Sequence, residues 1–119
     1  MNPIDVLIID DNEICCLMLK QRLELIGLTV NYVLDGNQAI YFIQQSHPKL
    51  IILDIFMPDK DGFEIMTELR KESSNPYIIA ISSAPDWLDC MKQMGANKTY
   101  FKRDIESLTQ GVSHYFMIS

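Results

Sequence analysis

Residues 50–54 read LIILD, four apolar residues followed by one aspartate. A run that is apolar at every position is typical of a central strand in a parallel sheet, because helices cover such a strand on both faces. Other short apolar or β-branched runs alternate with longer stretches of helical period. Together these runs predict strands at residues 4–9, 29–34, 50–53, 77–81 and 98–101. The alternation indicates an α/β fold in which a parallel sheet is wound with helices on both faces.

Five helices are predicted between and after these strands, at residues 12–26, 37–45, 62–72 and 85–94 and from Asp104 onward. Gly27 and Gly95 are stop signals, and Pro85 suits a first helical position. On the first helix, apolar residues spaced by three and four are expected to face the sheet: Cys15, Met18, Leu19, Leu23 and Ile26.

Three other apolar residues, Ile14, Leu17 and Leu25, fall elsewhere on the first helix. They either lie at the edges of a wide buried stripe or form a docking surface for a partner. The terminal residues 115–118 are also apolar, which predicts an end covered by the protein's own sheet or by a partner.

Composition limits the classes of function. A chain of 119 residues predicts one domain, residues 1–119, and its 48% hydrophobic and 22% charged residues are typical of a globular protein. The net charge of −6 argues against binding of nucleic acid, which relies on basic residues. The apolar runs are too short to span a membrane and the first residues lack a secretory signal, so we expect a cytoplasmic location. Cys15, Cys16 and Cys90 lack metal-binding spacing and are expected to be reduced.

Carboxylates follow two of the predicted strands. Asp10 and Asp11 end the first, and Asp54 ends the third. Because ligands bind at the carboxyl ends of the strands in such sheets, the three side chains should converge there. Crowded carboxylates repel one another unless a cation such as Mg²⁺ binds between them. The alternative is that Asp10 and Asp11 only cap the first helix.

The same edge collects Ser82 and Lys102, which end the fourth and fifth strands. A metal ion, an ammonium group and a hydroxyl are the groups that hold a phosphoryl group, and Asp54 is then the natural nucleophile. Taken singly, Ser82 is an ordinary turn residue and Lys102 an ordinary solvated lysine. Their coincidence with three aspartates predicts a phosphoryl site.

Four motifs in register resemble the receiver domain of bacterial two-component response regulators, over essentially all 119 residues. They read IIDDN at 8–12, LDIFMPDKDG at 53–62, IAIS at 79–82 and GA at 95–96 followed by Lys102. The double aspartate alone is weak evidence, but the pattern Asp-x-x-Met-Pro-x-x-Asp-Gly in register with the other pieces is specific.

The resemblance implies a flavodoxin-like, doubly wound five-stranded parallel sheet of order 2-1-3-4-5 with five helices. It implies that Asp54 accepts a phosphoryl group from a phosphohistidine on a histidine kinase or histidine phosphotransfer protein. Asp11 and Asp54 would bind Mg²⁺ directly, Asp10 would often act through water, and the backbone carbonyl of Phe56 would be a further ligand.

The resemblance also implies that Ser82 follows the phosphoryl group, that Lys102 pairs with it, and that Pro58 and Gly62 shape the loop after the third strand. Phosphorylation would switch the face formed by the fourth helix, last strand and fifth helix, and a homodimer through that face is a candidate assembly. Such a domain promotes its own phosphorylation and dephosphorylation and is not a turnover enzyme.

Three features depart from this family. Arg103 follows Lys102 where proline is usual, so we predict a trans peptide bond between them. Thr99 stands where many receivers carry a switching aromatic residue, and Tyr100 should face away from it. Phe56 and Ala84 flank the path of attacking water and cannot orient it, which predicts slow self-dephosphorylation.

Three other functions are possible for a chain with this predicted fold. An aspartate-dependent phosphatase requires a second aspartate where Phe56 stands, and a flavin binder requires a hydroxyl- and glycine-rich loop where residues 10–13 read DDNE. A receiver-shaped interaction module that takes no phosphate is a third alternative. The chain is expected to be either a stand-alone regulator or a receiver from a hybrid sensor kinase or longer regulator.

Overall fold

The computed structural model describes residues 3–71 and 76–117, which fold around a five-stranded parallel sheet. The strands are β1 Val6–Ile9, β2 Val30–Val33, β3 Leu50–Asp54, β4 Tyr77–Ser82 and β5 Lys98–Phe101. Their order is β2-β1-β3-β4-β5, as the resemblance implies. All five residues of β3 are buried, which explains the unbroken apolar run that ends in Asp54.

The helices are α1 Glu13–Leu25, α2 Gly36–Ser46, α3 Gly62–Lys71, α4 Leu88–Gln93 and α5 Ile105–Tyr115. The fourth helical segment differs from the prediction, because Pro85–Trp87 forms a 3₁₀ turn before α4 begins. The predicted end of the third helix, Glu72, lies outside the described residues. Within the described residues, the helices are too short or too polar to cross a bilayer.

The core consists of two layers, one on each face of the sheet. One layer packs α2, α3 and α4 against the sheet, and the other packs α1 and α5. Alternate residues of each strand enter opposite layers, so Leu7 and Ile9 lie in the first layer while Val6 and Ile8 lie in the second. Because all neighbouring strands are parallel, their carboxyl ends lie along one edge of the sheet.

The buried face of α1 differs in part from the predicted one. Cys16, Leu19 and Leu23 are buried, whereas Met18 is 51% exposed and Cys15 is only partly buried. The prediction was therefore wrong for Met18 and for which cysteine enters the core. Because α1 carries apolar residues on nearly all sides, periodicity alone could not determine which side packs on the sheet.

The opposite side of α1 is an exposed apolar stripe. Ile14, Met18 and Leu25 share this face at helical spacing, and Ile14 and Leu25 are 71% and 85% exposed. Leu17, beside them, is 44% exposed. We call these four residues the α1 stripe. Burial at the edge of the core does not account for Ile14 or Leu25.

The C-terminal end of α5 packs on its own sheet. The Tyr115 ring lies 4.3 Å from the Tyr77 ring between centroids, and Phe116 packs against the α1–α5 layer. Met117 is exposed. The protein itself therefore covers part of this predicted apolar end, and Ile118 lies outside the described residues.

Candidate functional site

The register of the sheet brings three predicted site residues to one edge. Asp54 is aligned with Ile81, and Ser82 follows Ile81 at the end of β4. The backbone N–H of Lys102 donates to the carbonyl of Ser82 at 2.9 Å. Neighbouring parallel strands therefore place Asp54, Ser82 and Lys102 side by side, although they are distant along the chain.

The ammonium group of Lys102 joins two buried aspartates. Its Nζ lies 2.9 Å from Asp10 Oδ1 and 3.2 Å from Asp54 Oδ2. Asp10 and Asp54 are 1% and 4% exposed. Charge-assisted hydrogen bonds of this kind fix the orientation of both carboxylates. The solvated-lysine alternative for Lys102 is therefore wrong.

Asp10, Asp11 and Asp54 form a carboxylate cluster. One oxygen from each lies within 4.8 Å of the others, and Asp11 is exposed while the other two are buried. Hard oxygen ligands at this spacing, open to solvent on one side, suit a cation such as Mg²⁺ that retains several waters. The residues present therefore fit the metal predicted from the sequence.

Electrostatics at this cluster favour a bound cation. Burial, the largest cause, and the nearby Asp10 charge together raise the pKa of Asp54 to about 7, although Lys102 opposes both effects. Burial disfavours the charged form of Lys102, but its hydrogen bonds and attraction to the two aspartates raise its pKa to about 12. Lys102 is therefore protonated at neutral pH. Its charge only partly offsets the burial and the Asp10 charge that disfavour the ionised form of Asp54.

The alternative in which Asp10 and Asp11 serve as helix caps is wrong. Asn12 is the N-cap of α1, and its side-chain oxygen accepts a hydrogen bond from the backbone N–H of Cys15 at 3.1 Å. Asp10 accepts from the backbone N–H of Asn12 at 3.0 Å and orients its carboxylate toward Lys102. Asp11 is left free to project into solvent beside the cluster.

Ser82 is fully buried, and its hydroxyl is oriented by the chain that follows it. Its Oγ accepts a hydrogen bond from the backbone N–H of Ala84 at 3.0 Å. Since the oxygen is the acceptor in this contact, the hydroxyl hydrogen remains available to a ligand. The arrangement suits a donor to a phosphoryl oxygen.

The loop after β3 approaches the strand closely at Gly62. A Cβ at this position would lie 2.6 Å from the carbonyl oxygen of Asp54, so only glycine fits. The Gly62 N–H donates to the carbonyl of Ile55 at 2.8 Å, and Lys60 N–H donates to the carbonyl of Pro58 at 2.9 Å. These contacts confirm that Pro58 and Gly62 shape the loop.

The side chain of Phe56 belongs to a ring cluster that the sequence analysis missed. It contacts the rings of Phe63 and Trp87 edge to face, with centroids 6.3 and 6.0 Å away. Phe63 and Trp87 contact each other at 5.9 Å. Three aromatic residues in three different segments carry no periodic signal, so only the folded chain reveals this cluster.

Cys16 is a second contact that the sequence did not reveal. Its Sγ lies 3.4 Å from the backbone carbonyl of Asp10, in the geometry of a weak hydrogen bond. Burial and the nearby Asp10 charge raise the pKa of Cys16 to about 12, so this thiol is not a nucleophile. Cys16 supports the backbone that carries the carboxylates.

The structure tests two of the predictions made where the sequence departs from the receiver family. The bond between Lys102 and Arg103 is trans, as predicted. Tyr100 packs into the α1–α5 layer, whereas Thr99 is aligned with Ala80, a residue of the opposite layer. The two residues therefore face opposite sides of the sheet, as strand alternation predicts.

Residues 6–113 match the family model described as the response regulator receiver domain. A probable transcriptional regulator, ycf27, of Porphyridium aerugineum is 34% identical over 90% of this chain and 47% of its own length. The sensor protein EvgS of Escherichia coli is 39% identical over 60% of this chain and 6% of its own length. The chain thus spans less than half of either relative.

The fold matches solved structures. The receiver domain of Francisella response regulator 1452 superimposes with a TM-score of 0.87 at 24% identity, over 96% of this chain and 97% of that one.

Proposed function

Since the chain belongs to the response regulator receiver domain family, we propose that it accepts a phosphoryl group on Asp54 in a Mg²⁺-dependent reaction. The observation that supports this most strongly is the contact of Lys102 with both Asp10 and Asp54, beside three carboxylates within 4.8 Å. The charged side chains that this transfer would use, Asp10, Asp11, Asp54 and Lys102, lie at one edge of the sheet.

The donor in this proposal is a phosphohistidine on a histidine kinase or histidine phosphotransfer protein. One oxygen of Asp54 attacks the phosphorus, the P–O bond forms as the P–N bond breaks, and the electron pair remains on the imidazole nitrogen. Asp54 reacts as the carboxylate, which the nearby Lys102 charge favours. The product is one aspartyl phosphate for each chain.

Three groups hold the metal in this proposal: the carboxylates of Asp11 and Asp54 and the backbone carbonyl of Phe56, with Asp10 acting through water. When bound, the cation neutralises phosphoryl oxygens. In the part of the chain that the structure describes, no backbone N–H donates to the Phe56 carbonyl, whereas Ile55 accepts from Gly62. This supports the assignment of the Phe56 oxygen as a ligand.

Lys102 and Ser82 then hold the modified state. The Lys102 ammonium keeps its contact with Asp10 and pairs with a phosphoryl oxygen, and the buried hydroxyl of Ser82 donates to another. Because these contacts favour the phosphorylated form, they shift the conformational equilibrium of α4, β5 and α5. That face is the proposed output surface and the proposed homodimer surface.

The α1 stripe is the proposed docking surface for the phosphodonor. It begins at Ile14, two residues after the cap Asn12 and three after Asp11, so a partner bound there lies beside the carboxylates. An exposed apolar stripe on a helix suits a helical partner, which would bury it.

Free cysteines in the described chain and the acidic composition agree with a cytoplasmic domain that binds no nucleic acid.

The test is radiolabelling with acetyl phosphate and Mg²⁺. Wild-type protein should take up close to one phosphoryl group for each chain, and Asp54→Asn should take up none. Asp59→Asn is the matched control, because Asp59 lies in the loop that follows β3, is exposed and stands outside the cluster. An unlabelled wild type would instead favour the interaction module, and label that persists in Asp54→Asn would place the acceptor elsewhere.

A further inference from the structure

The Phe56–Phe63–Trp87 ring cluster connects three segments that meet beside the site. Phe56 follows β3, Phe63 lies in the first turn of α3, and Trp87 ends the 3₁₀ turn that precedes α4. Each ring contacts the other two edge to face, with interplanar angles of 73°, 81° and 76°. Such aromatic pairs are favourable beyond the area they bury.

The cluster is anchored on one side and open on the other. Phe63 is partly buried and packs against the core layer of α2, α3 and α4. Phe56 and Trp87 are 46% and 47% exposed. The two exposed rings therefore depend on each other and on Phe63 for a fixed position, because solvent surrounds much of their surface.

Among the residues that the structure describes, no backbone hydrogen bond joins Phe56 to the backbone of another residue. Its neighbour Ile55 is held on both sides, by donating to the carbonyl of Ile81 at 3.1 Å and accepting from Gly62. Phe56 itself leaves the sheet, and its side chain is the part that is packed, against Phe63 and Trp87. Along the chain, the Phe56 carbonyl lies between this ring and the buried side chain of Met57, so the ring is one of two packed groups that set its orientation.

We propose that Trp87 is a positioning residue for the metal site, because it holds the Phe56 ring and thereby the Phe56 carbonyl. This inference rests on the proposed function, which assigns that carbonyl to Mg²⁺. Trp87 directly precedes Leu88, the first residue of α4. The same contact therefore couples metal binding to the start of α4, and by thermodynamic linkage each must affect the other to the same extent.

This coupling runs through the loops and not through β5. Ser82 ends β4 and Trp87 ends the 3₁₀ turn that follows it, so one short stretch of chain joins the Ser82 hydroxyl to the ring cluster. At the usual switch position, β5 carries Thr99, which has no aromatic ring. Tyr100 packs in the α1–α5 layer, on the opposite side of the sheet from Phe63. The ring cluster supplies the aromatic contact between the site and α4.

Calorimetric titration of the purified protein with Mg²⁺ tests the proposal without phosphorylation. Trp87→Ala should weaken Mg²⁺ binding by about three- to tenfold, the range expected from losing one or two aromatic contacts. Trp87→Phe keeps a ring and should restore affinity to within about twofold of wild type. Tyr41→Ala is the matched control, since Tyr41 is an exposed aromatic residue on α2.

A double-mutant cycle separates positioning from a general loss of stability. Phe56→Leu keeps the carbonyl but removes the ring, so it should weaken binding as Trp87→Ala does. In the Phe56→Leu background, Trp87→Ala should have no further effect, because the contact is already lost. Urea unfolding of each variant checks that the protein is folded at the titration temperature.

Each outcome of the titration decides the proposal. Equal affinities for wild type, Trp87→Ala and Tyr41→Ala would overturn the positioning role and leave the metal site standing. Additive effects of Phe56→Leu and Trp87→Ala would also overturn it. A wild type that binds no Mg²⁺ would overturn both the positioning role and the proposed function.

Discussion

The ring of Tyr100 lies directly against Gly111 of α5. A Cβ on Gly111 would come within 2.3 Å of the Tyr100 hydroxyl oxygen and 2.8 Å of its Cζ. Glycine at this helical position therefore makes room for the ring, which packs in the α1–α5 layer. The contact holds β5 and α5 together and keeps Tyr100 away from the side of the sheet that Thr99 faces.

The effect of Gly111→Ala on the free energy of unfolding should change sign when the residue at position 100 is changed. In an unhindered helix the change stabilises by about 1 kcal/mol, but here it must displace a packed ring, so we expect a loss of about 1–3 kcal/mol in the free energy of unfolding. In a Tyr100→Leu background the change should be neutral or stabilising. Urea denaturation measures all four proteins, and an equal loss in both backgrounds would show that the ring is not the obstacle.

Tyr100 should also stay in its layer when the site is occupied. Beryllium fluoride with Mg²⁺ mimics the phosphorylated state, and NMR contacts between Tyr100 and Gly111 should persist in its presence. Trp87 fluorescence should change saturably in the same titration, because Trp87 contacts Phe56. A large inward rotation of Tyr100 would contradict the prediction that Tyr100 faces away from the switch position at Thr99.

Ile14→Asp should impair phosphoryl transfer from a protein donor while sparing a small one. A carboxylate in the α1 stripe would have to be desolvated on docking, so transfer from a phosphorylated histidine phosphotransfer protein should slow at least tenfold, about 1.4 kcal/mol. Labelling by acetyl phosphate should be unchanged. Tyr41→Asp, on α2, is the control for added charge, and an equal loss with both donors would indicate misfolding.

Phe56→Asn should shorten the lifetime of the aspartyl phosphate several-fold. The phenyl ring cannot orient an attacking water, whereas an amide can donate and accept hydrogen bonds. Phe56→Leu is the matched apolar control and should keep a long lifetime at saturating Mg²⁺. The measurement is the decay of label after the donor is removed. An unchanged rate of decay in Phe56→Asn would contradict the prediction that Phe56 slows dephosphorylation.

Asp54→Asn should stabilise the metal-free protein above pH 7. The folded pKa of Asp54 is raised to about 7 from 3.8, so the folded state binds more protons between these values and the wild type loses stability as pH rises through them. At pH 8 the variant should be more stable by about 1–3 kcal/mol, and the difference should shrink toward pH 4. Urea unfolding in chelator measures it.

The titration of Lys102 does not affect the stability of the protein between pH 4 and pH 8. Its pKa is raised from 10.5 to about 12, so the stability that it contributes is complete below pH 10.5 and is lost only at higher pH. Adding Mg²⁺ should then stabilise the wild type at pH 8 and leave Asp54→Asn nearly unchanged, because a ligand that binds the folded state stabilises it. A variant less stable than wild type at pH 8 in chelator would contradict the prediction.

The sequence by itself determined the sheet and which polar side chains meet at its carboxyl edge. Apolar runs such as 50–53 can only be buried between two helix layers, and the polar residue that ends each run must then lie at the carboxyl edge. Asp10, Asp11, Asp54, Ser82 and Lys102 were all predicted on that basis, because parallel strands leave their carboxyl ends together.

Only the tertiary structure decided which surfaces meet and which stay exposed. Helix α1 is apolar on nearly all sides, so packing on the sheet, and not periodicity, buried Cys16 and exposed Met18. The contacts of Phe56 with Trp87 and of Tyr100 with Gly111 join residues with no local pattern between them. Local sequence encodes period and strand ends, whereas contacts between distant segments depend on how the completed layers pack.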